Sequence, residues 1–150
     1  MKKLIFSLGV LLTGVVISAK AQSPVSWSFS AIKLDAKTYE VRLVATLEGD
    51  WHIYSQSTPD GGPVPTSINF SKNPLVEFDG KTTEVGKMEE HFEPLFGVKV
   101  KQYSSKVMFV QKIKLKAAVK TAVNGAVEFM VCNDEQCMPP AKQTFSVSLN

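Results

Sequence analysis

Thr38-Tyr39-Glu40-Val41-Arg42-Leu43-Val44-Ala45-Thr46-Leu47 decides the fold, because its large apolar residues recur at every second position. Tyr39, Val41, Leu43, Ala45 and Leu47 share one face, and Glu40, Arg42, Val44 and Thr46 share the other. Successive side chains of an extended chain point to opposite sides, so this pattern is a strand with one buried face. Similar runs occupy 26–34, 51–54, 66–70, 98–103, 106–115, 126–131 and 144–149. Turn residues such as Asp60-Gly61-Gly62-Pro63 and Asn124-Gly125 are predicted to separate many of them. No segment carries a helical stripe. Seven to nine short strands predict an all-β fold, an immunoglobulin-like antiparallel β-sandwich, with a barrel as the alternative architecture. A thioredoxin-like fold, which needs helices, does not fit.

One stretch matches neither period. Residues 86–97 are polar overall yet hold Phe92, Leu95 and Phe96, and are predicted to form a loop. A loop carrying large apolar side chains usually covers the core or a site.

The first 21 residues have the build of a secretory signal: Lys2 and Lys3, an apolar run, then Ala19-Lys20-Ala21. Cleavage is expected before Gln22, which leaves 22–150 as a single domain. No later run reaches about 18 apolar residues, so no membrane insertion is expected after cleavage. Without Lys2, Lys3 and Lys20 the chain has 14 basic and 14 acidic residues, and Arg42 is its one arginine. A neutral chain without basic clusters gives no reason to expect nucleic acid or an anionic membrane as partner. Proteins or small molecules remain. The sequence has no nucleophile motif, no spacing that pairs His52 or His91 with an acid and a serine, and no phosphate-binding glycine pattern.

Export bears on the two cysteines, since disulfides persist outside the cytoplasm. Cys132 and Cys137 enclose Asn133, Asp134, Glu135 and Gln136, and are followed by Met138-Pro139-Pro140. If the four residues form a hairpin loop, the cysteines stand opposite each other, with Cβ atoms roughly 4.5–5.5 Å apart and close to bonding range. Val127, Phe129 and Val131 read as the buried set, which puts Cys132 on the other face. Cys137, in contrast, shares the parity of Phe145, Val147 and Leu149. Pro139-Pro140 supplies the phase shift, because two residues without N–H groups interrupt a ladder.

A purely structural bridge is one reading, but closing so small a ring stabilises by only about 2 kcal/mol, against more than about 4 for a long one. A sulfur that another protein must reach is the other reading, since exchange needs access to one end of the S–S axis. Asp134 and Glu135 lie in the loop, and the nearest basic residue in the sequence is Lys142. Nothing local stabilises a thiolate, and a couple without that stabilisation is reducing rather than oxidising. Copper handling is a third reading, with Cys132, Cys137 and Met138 as soft ligands and His52 or His91 completing a site. Met88, Met108 and Met130 read better as packing residues, and no metal or cofactor is expected.

The hairpin from Cys132 to Pro140 resembles that of the amino-terminal periplasmic (alpha) domain of the thiol:disulfide interchange protein DsbD. Gly49-Asp50-Trp51-His52-Ile53-Tyr54-Ser55 is similar to that family's aromatic strand, and Glu93-Pro94-Leu95-Phe96-Gly97 to its cap loop. The resemblance implies a protein-disulfide reductase component of the periplasm. A thioredoxin-like domain would reduce the pair, which would then reduce oxidised exported thiol proteins, among them disulfide isomerases and factors of cytochrome c biogenesis. It implies Cys137 as the attacking and attacked sulfur and Cys132 as the resolving one. Leu95 and Phe96 would cap the pair, with Phe92 nearby. Glu93 would act on the second cysteine, while His52, Tyr54, Asp134 and Glu135 flank the site. Four residues separate the cysteines where the best-known members have five. The 150 residues hold no counterpart of the membrane carrier or the carboxy-terminal domain of full-length DsbD, so a separate protein is the expected donor.

Overall fold

The alternation that opens the sequence reading appears intact. In a computed structural model, which describes residues 23–150, Tyr39, Val41, Leu43, Ala45 and Leu47 are all buried. The predicted export signal lies outside the described residues. Nine strands make up the described chain: β1 (Val25–Lys33), β2 (Thr38–Leu47), β3 (His52–Tyr54), β4 (Ser67–Phe70), β5 (Val76–Glu93), β6 (Val98–Leu115), β7 (Thr121–Phe129), β8 (Val131–Cys132) and β9 (Ala141–Leu149). They form two antiparallel sheets. One runs β1-β2-β6-β3-β8, with β5 also paired to β6, and the other runs β4-β7-β9. The fold is an immunoglobulin-like β-sandwich, all-β as the alternation predicts.

The inner faces of the two sheets form the core. Leu43 of β2, Phe109 and Ile113 of β6, Val127 of β7 and Leu149 of β9 are completely buried. Trp27 of β1 spans the sandwich, its ring 6.0 Å from Phe109 and 5.2 Å from Phe129. Burying such aliphatic and aromatic side chains stabilises by about 1.5–3 kcal/mol each, which makes this seam the main source of cohesion.

Three sequence expectations need correction. First, 86–93 is not loop: it is the second half of the 18-residue strand β5, and only Pro94, Leu95, Phe96 and Gly97 form the connecting turn. Periodicity misses β5 because Val76 and Glu93 are its only fully buried residues. Backbone pairing to β6, from Val76↔Leu115 to Glu93↔Val98, holds it instead of burial.

Second, 98–103 and 106–115 are one strand rather than two. They read as separate because Ser105 adopts φ 63°, where the register to β5 shifts between Gly86 and Met88. On the opposite edge of β6 the partner changes at the same place, from β2 at Lys106 to β3 at Ser104. Third, Asn124-Gly125 is not a turn but lies inside β7. A Cβ on Gly125 would come 2.5 Å from the Asn69 carbonyl oxygen and 2.6 Å from the Phe145 ring, so this glycine serves close packing of the three-stranded sheet.

Between β7 and β8 the chain changes sheets at Met130 without losing its alternation. Phe129 and Val131 face the main core, whereas Met130 and Cys132 join a smaller cluster with Tyr54 and Val100. Cys132 is thus on the face opposite Val131, as its parity predicts. Residues 138–140 belong to no strand, and after them Phe145, Val147 and Leu149 face the core again. The proline pair sits where the phase changes.

Candidate functional site

Cys132 and Cys137 are bonded, with Cα atoms 4.0 Å apart, and they face each other as an isolated antiparallel bridge. The loop between them is held by Asn133, a residue the sequence reading did not single out. Its Oδ1 accepts from the backbone N–H groups of Glu135 (3.0 Å) and Gln136 (2.8 Å), and its own N–H donates to the Gln136 carbonyl (2.9 Å). An asparagine bonding the N–H two residues on is a known turn-former, so this signal was legible beside Cys132. The Met138 N–H donates to the Val131 carbonyl (2.9 Å), which closes the hairpin behind the pair.

The two sulfurs are not equally placed. Cys132 has no exposed surface and Cys137 is partly exposed, while Asp134, Glu135 and Gln136 stand in solvent.

Beneath Cys132 lies β3. His52 is its direct cross-strand partner, and Ile53 pairs with Val131. Because Ile53 fills the main core, His52 and Tyr54 necessarily project to the Cys132 face. Their rings meet edge to face with centroids 5.3 Å apart, and the Tyr54 hydroxyl is 3.1 Å from His52 Nε2. That hydroxyl donates to Glu93 Oε2 at 2.8 Å, and the same oxygen is 3.4 Å from His52 Nε2. Glu93 is only 3% exposed, and it reaches the site from the far end of β5.

Glu93 also builds the turn after it. Its Oε1 accepts from the Leu95 N–H at 3.4 Å, and its carbonyl accepts from the Phe96 and Gly97 N–H groups at 3.2 and 2.8 Å. The predicted cap residues therefore stand on the side chain that enters the site. Phe92 and Leu95 are more than half exposed and Phe96 about one-third. The residues packed with Tyr54 and Cys132 are Val98, Val100, Met130 and Cys137, of which only Cys137 was expected there.

Donor atoms of His52, Glu93 and Cys132 all lie within 4.8 Å of one another, all three residues being buried. The copper set imagined from sequence is not assembled in that form. Met138 packs on the main core, and His91 is exposed on β5.

Burial sets the electrostatics. Desolvation pushes His52 below its ordinary value of 6.5, more strongly than the neighbouring Glu93 carboxylate pulls it up. Desolvation, aided by the hydrogen bond to Glu93, pushes the Tyr54 hydroxyl far above the normal tyrosine range. The site is therefore a neutral imidazole and a neutral phenol around one carboxylate. A pH dependence follows. The unfolded chain binds a proton at His52 more readily than the folded one, so stability should fall as pH drops through 6.5 toward the lower folded value. The slope is at most about 1.4 kcal/mol per pH unit. Urea unfolding between pH 7.5 and 5.5 checks this, and His52→Gln should remove that part of the slope.

A second polar cluster anchors the other end of β3. Glu84 Oε2 accepts from Ser55 Oγ and from the Tyr103 hydroxyl, both at 2.7 Å, and Glu84 Oε1 accepts from the Gln56 N–H at 2.7 Å. It clamps β3 to β5 and lies outside the cysteine site.

The family model of the N-terminal domain of the thiol:disulfide interchange protein DsbD matches residues 20–149. The chain belongs to the DsbD N-terminal domain family. The reduced DsbD N-terminal domain of Neisseria meningitidis is 17% identical with a TM-score of 0.52, over 77% of this chain and 86% of that one. The N-terminal periplasmic domain of ScsB from Proteus mirabilis is also 17% identical, with a TM-score of 0.56 over 90% of this chain and 49% of that one. A complex between the DsbD N-terminal and PilB N-terminal domains of Neisseria meningitidis contains a chain 12% identical, with a TM-score of 0.52 over 86% of each chain. No curated protein matches the sequence. At these identities the solved structures establish that the chain shares the DsbD N-terminal fold, and the membership rests on the family model. No helix among the described residues is long and apolar enough to cross a membrane.

Proposed function

We propose that this DsbD N-terminal domain is a thiol–disulfide exchange module of the periplasm, a single domain over 22–150 that relays reducing equivalents from a thioredoxin-like donor to oxidised exported proteins. The observation that carries it is the unequal burial of the bonded pair. An incoming thiolate can reach the partly exposed Cys137, while Cys132 is fully buried and packed with Tyr54 and Val100. Family membership and a bonded pair at the hairpin support exchange. The complex of a related DsbD domain with the PilB N-terminal domain supports a protein partner, and the periplasmic ScsB domain of similar fold, with the export signal expected from the sequence, supports the compartment.

In the reduction step a donor thiolate attacks Cys137 Sγ along the S–S axis. The bond breaks, its electron pair leaves with Cys132 Sγ, and that sulfur takes a proton. The donor's second thiolate then attacks the mixed disulfide and frees Cys137 as a thiolate. In the outgoing step Cys137 attacks the acceptor's disulfide, and Cys132 resolves the product. Glu93 keeps a negative charge near the sulfurs, so the reduced pair is not held as a stabilised thiolate and passes electrons onward. Leu95 and Phe96, with Phe92 beside them, are the cap residues that the resemblance implies; they stand exposed at the turn that Glu93 holds and leave Cys137 open to a partner. His52 and Tyr54 fix the Glu93 carboxylate, and Asp134 and Glu135 present an acidic loop to the partner. Disulfide isomerases and cytochrome c maturation factors are the class of acceptor this reading favours.

The test is a thiol count without denaturant. Incubation with a reduced thioredoxin-like protein should generate two titratable thiols per chain. A purely structural bridge would yield none until the protein unfolds.

A further inference from the structure

In the exchange reading His52 and Glu93 act only through polarity and charge beside the sulfurs, yet both also carry ligand-type atoms buried there. His52 and Glu93 each place a ligand-type atom within 4.8 Å of the Cys132 sulfur and of each other. The pair itself has Cys-x4-Cys spacing, and four intervening residues fall within the range found in zinc-binding loops. Cys137 is bonded to Cys132, which keeps its sulfur next to this three-donor cluster although it is not one of the three. Ligands of one tetrahedral zinc ion, at about 2.0–2.3 Å from the metal, lie roughly 3–4 Å apart. The three buried donors are already close to that separation before any metal enters.

We propose that the reduced form of the site binds one zinc ion through Cys132, Cys137, His52 and Glu93, and that the disulfide form does not. The inference rests on the exchange reading only in requiring that the pair be reducible in the folded protein. In the bonded state each sulfur has spent its valence on the other and offers no anionic ligand. Reduction adds two electrons and two protons from a dithiol donor. Zinc then replaces the two thiol protons, which pass to solvent, and no further electron moves. The remaining two ligands are a desolvated imidazole and a carboxylate already aimed at each other at 3.4 Å. Tyr54 holds this carboxylate through its 2.8 Å hydrogen bond to Oε2 and stands 3.1 Å from His52 Nε2, so it positions both donors, as outer partners of metal ligands commonly do. Zinc draws electron density from both thiolates and lowers their nucleophilicity, so the metal would slow exchange by the reduced module until a stronger ligand removes it.

The test uses the full chain, reduced without denaturant and freed of reductant under anaerobic conditions, with Co²⁺ as the spectroscopic probe and Zn²⁺ as competitor. The expected result is one Co²⁺ per chain, with thiolate-to-cobalt charge-transfer and tetrahedral visible bands that one equivalent of Zn²⁺ abolishes. The oxidised chain should show none. His52→Ala and Glu93→Gln should each weaken binding at least tenfold while keeping two titratable thiols. His52→Gln, which preserves a polar partner for Tyr54, replaces the alanine variant if that one does not fold. Two thiols per chain without cobalt bands would overturn the zinc site and leave exchange standing. Undiminished binding in the His52 and Glu93 variants would overturn it too, as a cysteine-only site. No thiols after reduction would overturn both readings.

Discussion

Cys132→Ser should accumulate a covalent complex with partner proteins through Cys137, whereas Cys137→Ser should accumulate none. The effect is all-or-none because it depends on which sulfur can be reached and which resolves. Cys132 has no exposed surface, so in the single-cysteine Cys137→Ser protein the remaining thiol is buried and out of a partner's reach. In Cys132→Ser the exposed Cys137 can attack a partner's disulfide, but no second thiol stands opposite to release the product. Trapping in cells, with non-reducing electrophoresis and mass identification of the adduct, reads both variants and names the partner. Equal trapping by the two variants would contradict the assigned roles. Neither variant should lose more than about 2 kcal/mol of stability, because the closed ring is small.

Glu93 carries the second large effect, and its two substitutions separate packing from charge. Glu93→Ala strips the acceptor from the Tyr54 hydroxyl and the partner from His52, both within a buried face, and removes the Oε1 contact that shapes the turn at Leu95. Leaving buried polar groups unpaired costs about 1–3 kcal/mol each, so a loss on the order of 2–4 kcal/mol is expected in urea unfolding. Glu93→Gln retains an acceptor oxygen for Tyr54 and should cost much less. It removes the negative charge beside the sulfurs, however, and should lower the pKa of the reduced pair. One unit would raise the thiolate fraction about tenfold at a pH below both values. Alkylation of the reduced protein at fixed pH should therefore accelerate several-fold to tenfold. An unchanged rate would mean that the carboxylate does not act on the thiols.

How much of this was legible in the sequence depended on whether burial or backbone pairing determined each element. Where one face is buried the alternation is unambiguous, and 38–47 and 144–149 fall inside β2 and β9. β5 was invisible because an edge-like strand exposed on nearly every side chain has no apolar period to detect. Gly125 was misread since a glycine chosen for close approach looks the same, in sequence, as one chosen for a turn.

The site divides in the same way. The cysteine hairpin and the parity of Cys132 follow from local spacing. Resemblance supplied Glu93, but nothing local predicted that a residue 39 positions from Tyr54 would share its hydroxyl. That contact depends on a long β5–β6 pairing which periodicity could not supply. Val98, Val100 and Met130 were missed because their packing with Cys132 depends on β3 lying between β6 and β8.

The central claim is that the pair is a reducing couple, and its equilibrium potential tests this most directly. The folded chain is equilibrated in glutathione buffers of defined ratio, and thiols are counted after acid quench. With Glu93, Asp134 and Glu135 around the pair and no basic residue within four positions of either cysteine, reduction gains no thiolate stabilisation. The account predicts a potential more negative than about −180 mV, on the side of the reducing dithiol proteins; a value near about −120 mV, that of a disulfide-donating oxidase, would contradict it.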